Sequence, residues 1–123
     1  MRIYIAGKFE EHSTIAKYAE RLCAAGHEIT FPWFLRHLGT TPLDQAAQED
    51  LAGVRAADPC IFIFERPLAY AGSFAELGMA IALDKRVILV GDEGDRCVFA
   101  HLPQVTHVAN FDKCMELLER WGR

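Results

Sequence analysis

A single carboxylate stands in an otherwise uncharged stretch of this chain of 123 residues. Glu76 is the only charged residue between Phe74 and Leu83, and the stretch lies between two apolar runs, residues 60–64 and 87–90. We interpret it as a crossover helix between two buried parallel strands, apolar nearly all round and therefore expected to be covered on both sides. A lone carboxylate early in such a helix calls for an explanation.

Two explanations of Glu76 are open. Ser73 and Glu76 have the spacing of a capping box, in which each side chain accepts a hydrogen bond from the backbone N–H of the other residue. The alternative is catalytic, because the loop before this helix leaves the carboxyl end of a central strand, where open α/β sheets bind ligands. Glu76 would then lie on the floor of that site.

A second carboxylate falls near the buried face of another predicted helix, which begins at Thr41 and Pro42 and runs to about Ala57. The predicted apolar stripe of this helix is Leu43, Ala47, Leu51 and Val54. Asp50 follows Ala47 by three residues, which puts it on the buried face or at its border. Because burying an unpaired charge is costly, a half-exposed Asp50 at the edge of the stripe is the alternative.

The elements around these residues alternate along the chain. Strands are predicted at residues 3–6, 28–31, 60–64, 87–90 and about 105–108, and helices at about 13–25, 41–57 and 72–85, with a last helix capped by Asn110. Residues 33–40 predict an ordered loop, because they carry many apolar side chains. This alternation predicts an α/β fold, a single doubly wound domain over residues 1–123 with about five parallel strands in the flavodoxin-like order 2-1-3-4-5.

Three common uses of this architecture are excluded by missing motifs. The first strand is followed by Gly7 alone rather than by G-x-G-x-x-G, and no G-x-x-x-x-G-K-[ST] phosphate loop is present. A phosphoacceptor domain needs an acidic pair after the first strand and an Asp at the end of the third, where the chain has Gly7-Lys8 and Glu65-Arg66. What remains is a sheet edge that gathers polar and aromatic side chains: Tyr4, Gly7, Lys8, Phe9, Trp33, Asp50, Tyr70 and Glu76.

Composition limits the partners. The net charge of -4 and the absence of a basic run argue against nucleic acid. The apolar runs are far shorter than the roughly 20 residues that span a bilayer, and residues 1–4 begin a strand, so we expect a soluble, cytoplasmic protein with no membrane contact.

The metal-ligating residue types show no ligand spacing. The four cysteines form no C-x-x-C pair and predict free buried thiols: Cys23, Cys60, Cys97 and Cys114. The five histidines form no H-E-x-x-H motif: His12, His27, His37, His101 and His107. We therefore expect no bound metal and no cofactor.

Several motifs, in the right order, resemble the nucleoside 2-deoxyribosyltransferase superfamily, which includes the 2'-deoxynucleoside 5'-monophosphate N-glycosidases. The matching segments are residues 3–9 and 25–29, Asp50, Ala57-Asp58 and Gly72-Ser73-x-x-Glu76-Leu77-Gly78-x-Ala80-x-Ala82-Leu83-x-Lys85. By this resemblance Glu76 is the nucleophile that attacks the anomeric carbon of the sugar, and Tyr4 is the phenol against it. Asp50 matches the carboxylate that serves the sugar or the departing base.

The resemblance implies substrate contacts from the rest of the sheet edge: Gly7, Lys8, Phe9, Trp33, Tyr70, Gly72 and Ser73. Two of these depart from the family. Tyr70 stands where members usually carry Asp or Ser, although a phenol can also donate to a sugar hydroxyl. Lys8 stands where the monophosphate enzymes have a small hydroxyl residue, and it either pairs with a 5'-phosphate or is a solvated surface lysine.

The implied function is cleavage or exchange of the N-glycosidic bond of 2'-deoxynucleosides or their 5'-monophosphates, for which a carboxylate nucleophile suits the oxocarbenium-like transition state. The alternatives are a non-catalytic nucleotide-binding module, with Glu76 as a cap, and a glycohydrolase for another N-riboside such as NAD. A homodimer or larger homo-oligomer with shared active sites is also implied. Aromatic residues near the site mouth favour it by providing apolar surface to cover: Phe31, Trp33, Phe34 and Phe99.

Overall fold

A computed structural model describes residues 1–36 and 39–123 of the chain. Its strands form one parallel sheet of five, in the order β2-β1-β3-β4-β5. They are β1 (Arg2–Ala6), β2 (Glu28–Ile29), β3 (Cys60–Ile63), β4 (Val87–Val90) and β5 (Val105–Val108). The predicted fold class and strand order are confirmed, although β2 and β3 end earlier than predicted.

The helices are α1 (His12–Ala24), α2 (Leu43–Ala56), α3 (Ala71–Ala82) and α4 (Phe111–Trp121). Asn110 caps α4 as predicted, since its side chain accepts a hydrogen bond from the backbone N–H of Lys113 at 3.0 Å. Of the predicted loop 33–40, residues Trp33–Leu35 form a single 3-10 turn, while His37 and Leu38 lie outside the described residues.

Helices cover both faces of the sheet, which explains why the central strands are continuous apolar runs. Every residue of β3 and β4 is buried. α1 and α4 meet on one face, where the rings of Tyr18 and Phe111 stack with centroids 4.0 Å apart. α2 and α3 pack against each other on the opposite face. This second face carries the side chains of the candidate site.

The buried face of α2 differs from the prediction. The helix begins at Leu43, after Pro42, rather than with a cap at Thr41, and its fully buried residues are Gly53 and Val54. Three residues of the predicted stripe lie outward: Leu43 (88 % exposed), Ala47 and the half-buried Leu51. The apolar periodicity predicted the wrong buried face because α2 approaches β1 at Gly53. Glycine has no apolar side chain, so it does not contribute to such a pattern. A Cβ atom on Gly53 would lie 2.8 Å from the ring of Tyr4.

The prediction that α3 is covered on both sides is wrong. Its inner side is buried at Ser73, Leu77 and Ala80. Its outer side is exposed at Ala75, Met79 and Ala82. The main contacts of the helix with other described elements are with β3 and β4 of the sheet and with α2.

Two further observations concern the chain as a whole. Cys60 and Cys114 are buried and Cys97 is half-buried, but Cys23 is exposed, so the prediction of buried thiols fails there. Among the helices that the structure describes, none is long and apolar enough to cross a membrane.

Candidate active site

A cavity of about 540 Å³ opens at the carboxyl end of β1, between the loops that follow β1, β2 and β3. Every residue predicted for the site lines it: Tyr4, Gly7, Lys8, Phe9, Trp33, Asp50, Tyr70, Gly72, Ser73 and Glu76. Arg36, Ala69 and Ala71 also line the cavity and were not predicted. The fold thus brings together side chains from β1, α2 and α3 and from the loops between them.

A hydrogen bond joins two of the residues that line the cavity: the Tyr4 hydroxyl donates to Oε2 of Glu76. Tyr4 is almost fully buried in β1, and its side chain projects toward α2 and α3. α3 begins at Ala71, two residues before Ser73, and its N-cap residue, Tyr70, makes no side-chain cap hydrogen bond. The capping-box interpretation is therefore wrong, and the carboxylate of Glu76 is directed across the cavity to β1.

The surroundings of Glu76 change its acidity. Burial raises the pKa of Glu76 to about 7, and the nearby charge of Asp50 adds to the rise, while the Tyr4 hydrogen bond and Arg36 oppose it. Burial, together with the charges of Glu76 and Asp50, raises the pKa of the Tyr4 phenol as well. The phenol therefore stays protonated near neutral pH, and the carboxyl group exchanges its proton there.

Asp50 is half-buried on α2, in agreement with its predicted place at the border of the buried face. Its Oδ1 atom lies 3.0 Å from Nη1 of Arg36. Burial raises the pKa of Asp50, and the charge of Arg36 opposes this rise. Apart from this ion pair, neither Oδ1 of Asp50 nor Nε of Arg36 has a hydrogen-bond partner in the described part of the chain.

Arg36 is the charged residue that the sequence analysis missed. It follows the 3-10 turn after β2, and its guanidinium lies 4.7 Å from the ring centre of Phe31. It donates a hydrogen bond to the carbonyl oxygen of Ala46 at 3.2 Å. The available signal in the sequence was a single cation, Arg36, directly after the apolar residues 33–35. This signal was not recognised because the carboxylate partner, Asp50, lies on another element, α2.

Two other aromatic residues that line the cavity, Trp33 and Tyr70, use their polar atoms in hydrogen bonds within the protein. Trp33 donates from Nε1 to the carbonyl oxygen of Ile5 at 2.6 Å, which fixes the indole on the end of β1. The Tyr70 hydroxyl faces the carbonyl oxygen of Arg66 at 2.8 Å and Oε1 of the buried Glu11 at 3.2 Å. Because this hydroxyl has one hydrogen and two acceptors within the protein, it has no further hydrogen to donate to a ligand.

A pattern runs through this edge of the sheet, where each of the three tyrosines donates to a glutamate. Tyr4 donates to Glu76 and Tyr70 to Glu11, and the Tyr18 hydroxyl donates to Oε1 of Glu65 at 2.7 Å. Of these three glutamates, Glu76 alone lines the cavity described above.

A second cavity of about 460 Å³ lies where β4 and β5 end, and it contains none of the predicted site residues. Its lining is Glu65, Gly91, Asp92, Asp95, His107, Val108 and Ala109. Within residues 1–36 and 39–123, no group of three or more His, Cys, Asp or Glu side chains is arranged to hold a metal ion.

The chain and its fold match known proteins. A family model described as nucleoside 2-deoxyribosyltransferase matches residues 3–118. No curated protein sequence matches the chain significantly. The structure of CMP N-glycosidase BcmB from Clostridium botulinum is similar, with a TM-score of 0.67 and 16% identity, over 98% of this chain and 99% of that one.

Two other solved structures share the fold. A 2-deoxyribosyltransferase from Bacillus psychrosaccharolyticus has a TM-score of 0.72 and 20% identity, over 93% of this chain and 90% of that one. A conserved protein from Enterococcus faecalis V583 has a TM-score of 0.73 and 15% identity, over 98% of each chain. At these identities the likeness is one of fold.

Proposed function

The chain belongs to the nucleoside 2-deoxyribosyltransferase family, and on that premise we propose that it cleaves or exchanges the N-glycosidic bond of 2'-deoxynucleosides or their 5'-monophosphates. One observation carries the proposal. The Glu76 carboxylate is held by the Tyr4 hydroxyl at one wall of a cavity of about 540 Å³, and Asp50 lines the same cavity. A cavity of this size accommodates a small ligand such as a nucleoside.

The proposed chemistry assigns each of these side chains a role. A carboxylate oxygen of Glu76 forms a bond to the anomeric carbon as the bond from that carbon to the base nitrogen breaks, and the electron pair leaves with the base. Tyr4 binds Oε2, which leaves Oε1 for the attack. Asp50, in its ionised form, holds a water molecule that gives one proton to the departing base. The hydroxide that remains releases the sugar from Glu76, or a second base attacks the sugar instead and gives up its own proton.

Two features of the cavity support a 5'-phosphate on the substrate. Lys8 lines the cavity and contacts only the exposed Glu10, at 3.4 Å between Nζ and Oε1, as far as the described ion pairs show. The first turn of α3, at Ala71, Gly72 and Ser73, also lines the cavity, and no side chain caps it. Backbone N–H groups at an uncapped helix start favour an anion. We therefore propose that monophosphates are the preferred substrates.

The binding-module alternative loses its main support. It assigned Glu76 to a helix cap, and α3 has no side-chain cap. No observation in the structure favours a riboside such as NAD over a deoxyriboside, so this alternative is left to the substrate test.

We also propose that the chain forms a homodimer or larger homo-oligomer. The apolar surface available for an interface differs from the prediction, since Trp33 and Phe34 are buried within the chain. Val98 and Phe99 are exposed, at 73% and 56%. A monomeric mass by light scattering at micromolar concentration would contradict this proposal.

The function is tested by incubating the protein with a panel of substrates and measuring free base. The panel contains deoxynucleosides, ribonucleosides, the 5'-monophosphates of both, and NAD. Base release from deoxyribosides supports the proposal, and release from ribosides alone replaces it with the riboside alternative. A 2-fluoro-2-deoxynucleotide slows the second step and traps the glycosyl ester. An adduct mapped to Glu76 supports the mechanism, whereas binding without any base release favours the binding module.

A further inference from the structure

Arg36 is held more firmly than a surface arginine. Its guanidinium stacks on Phe31, donates to the carbonyl oxygen of Ala46 and lies within 3.5 Å of Oε1 of Glu49. Its side chain is only 17% exposed. These contacts fix the guanidinium against α2, where Nη1 reaches Asp50 at 3.0 Å.

The charged and titratable groups around Arg36 come from several elements that border the cavity. Negative charge is contributed by Glu49 and Asp50 on α2 and by Glu76 on α3, and the neutral phenol of Tyr4 comes from β1. Lys8 lines the same cavity but pairs with Glu10 on its outer side. Among the described ion pairs, Arg36 is therefore the cation that contacts Glu49 and Asp50, and its charge also acts on Glu76.

We propose that Arg36 is a positioning residue that holds Asp50 in place and favours the ionised forms of Asp50 and Glu76, so that it sets the pH range in which the site reacts. The effect on catalysis rests on the proposed function of Glu76 as a nucleophile. The effect on the ionisation of the two carboxyl groups does not.

The physical reason lies in two opposing influences on the same acids. Burial favours the neutral form of each carboxyl group, and a neighbouring carboxylate adds to this: Asp50 acts on Glu76, and Glu49 acts on Asp50. The charge of Arg36 opposes both influences and lowers the pKa of Asp50 and of Glu76 relative to a site without it. If the guanidinium is removed, both groups hold their protons to higher pH, and less of Glu76 is in the nucleophilic form.

The first test compares pH profiles of base release for the wild type, Arg36→Gln and Arg36→Lys. A shift of about one pH unit in the acid limb lowers the rate of Arg36→Gln about tenfold at pH 6, and the rate recovers to within about threefold at pH 9. Arg36→Lys keeps the charge but loses the planar contacts, so its profile shifts less. Arg55→Gln is the matched control, because it removes a cation from the exposed side of α2.

The shape of the profile separates this role from a structural one. If Arg36 only stabilised the fold, Arg36→Gln would lose the same factor at every pH, and that result would overturn the proposal. Thermal melts identify any variant that fails to fold, and Arg36→Lys then carries the comparison.

The second test needs no substrate. The carboxyl carbons of ¹³C-labelled Glu and Asp are titrated by NMR in the wild type and in Arg36→Gln, with Glu76→Gln and Asp50→Asn used for assignment. We expect the midpoints of Glu76 and Asp50 to rise by about one pH unit in Arg36→Gln. Unchanged midpoints overturn the inference. Raised midpoints in a protein that releases no base preserve the inference and refute the proposed function instead.

Discussion

Tyr4 on β1 and Glu76 on α3 share a hydrogen bond although 72 residues separate them in the sequence. The register of the sheet makes this contact possible, because Tyr4 pairs with Cys60 of β3, and α3 returns along the sheet after β3 ends. The hydrogen bond that orients the carboxylate therefore depends on the pairing of β1 with β3 as well as on the helix that carries Glu76.

Replacement of Glu76 by glutamine tests the nucleophile. The amide keeps the shape of the side chain and still accepts from Tyr4, but it lacks the negative charge, so we expect base release to fall about 10³-fold or more. Glu65→Gln is a matched control, because Glu65 also accepts a hydrogen bond from a tyrosine and lines the other cavity. Undiminished base release by Glu76→Gln would exclude Glu76 as the nucleophile.

The same variant changes the pH dependence of stability. Burial raises the pKa of Glu76 from 4.5 to about 7, so between these values the folded protein binds a proton that the unfolded chain has released. This contribution to the free energy of unfolding is complete below pH 4.5 and is lost as the pH rises to about 7, a change of about 3 kcal/mol.

Urea unfolding at several pH values measures this difference. Glu76→Gln is expected to be close to the wild type in stability at low pH and more stable above pH 7. Parallel pH curves for the two proteins would show that the acidity of Glu76 is the same in the folded and unfolded states.

Gly53 is expected to position Tyr4. A Cβ atom there would lie 2.8 Å from the Tyr4 ring and from Cβ of Phe31, so Gly53→Ala must displace one of them. We expect a loss of about 1–2 kcal/mol in stability and a fall of about 10–100-fold in base release. Gly78→Ala on α3 is the control, since its Cβ would have no neighbour within 4 Å. Equal effects of the two variants on base release would refute the positioning role.

Lys8 separates the two substrate classes. Loss of one charged contact in a partly exposed site costs on the order of 1 kcal/mol, so Lys8→Ala should weaken use of a 5'-monophosphate several-fold and leave the nucleoside nearly unaffected. The exposed Lys17→Ala on α1 serves as the control for net charge. A ratio of kcat/KM values between the substrates that matches the wild type would show that Lys8 does not bind the phosphate.

The architecture was predictable because its signals are local and repeated. β4 is a continuous apolar run in the sequence and is buried along its whole length, and Asn110 caps α4 where its residue type indicated. The cap of α3 was not predictable in the same way. Ser73 is a favourable cap in isolation, but Glu76 finds its hydrogen bond on β1, and nothing near Ser73 in the sequence indicates that competition.

Most residues of the candidate site were predicted from the carboxyl edge of the sheet, the family resemblance added Gly72 and Ser73, and the electrostatics of the site were not predicted. Asp50 was placed correctly at the edge of α2 by spacing, yet its partner Arg36 belongs to a loop without helical or strand periodicity. An ion pair between a loop and a helix leaves no regular pattern in the sequence. The misplaced stripe of α2 has a related cause, because its close contact with Tyr4 is made by the side-chain-free Gly53.

The pairing of every tyrosine with a glutamate has a consequence at high pH. Burial raises the pKa of all three phenols, that of Tyr70 to about 12, whereas an unfolded chain releases these protons near pH 10. Stability from these groups is present below about pH 10 and is lost as the pH rises further. The chain should therefore undergo alkaline denaturation, with tyrosinate absorbance appearing together with the loss of helical circular dichroism. Tyrosinate that forms while the helices persist would contradict this coupling.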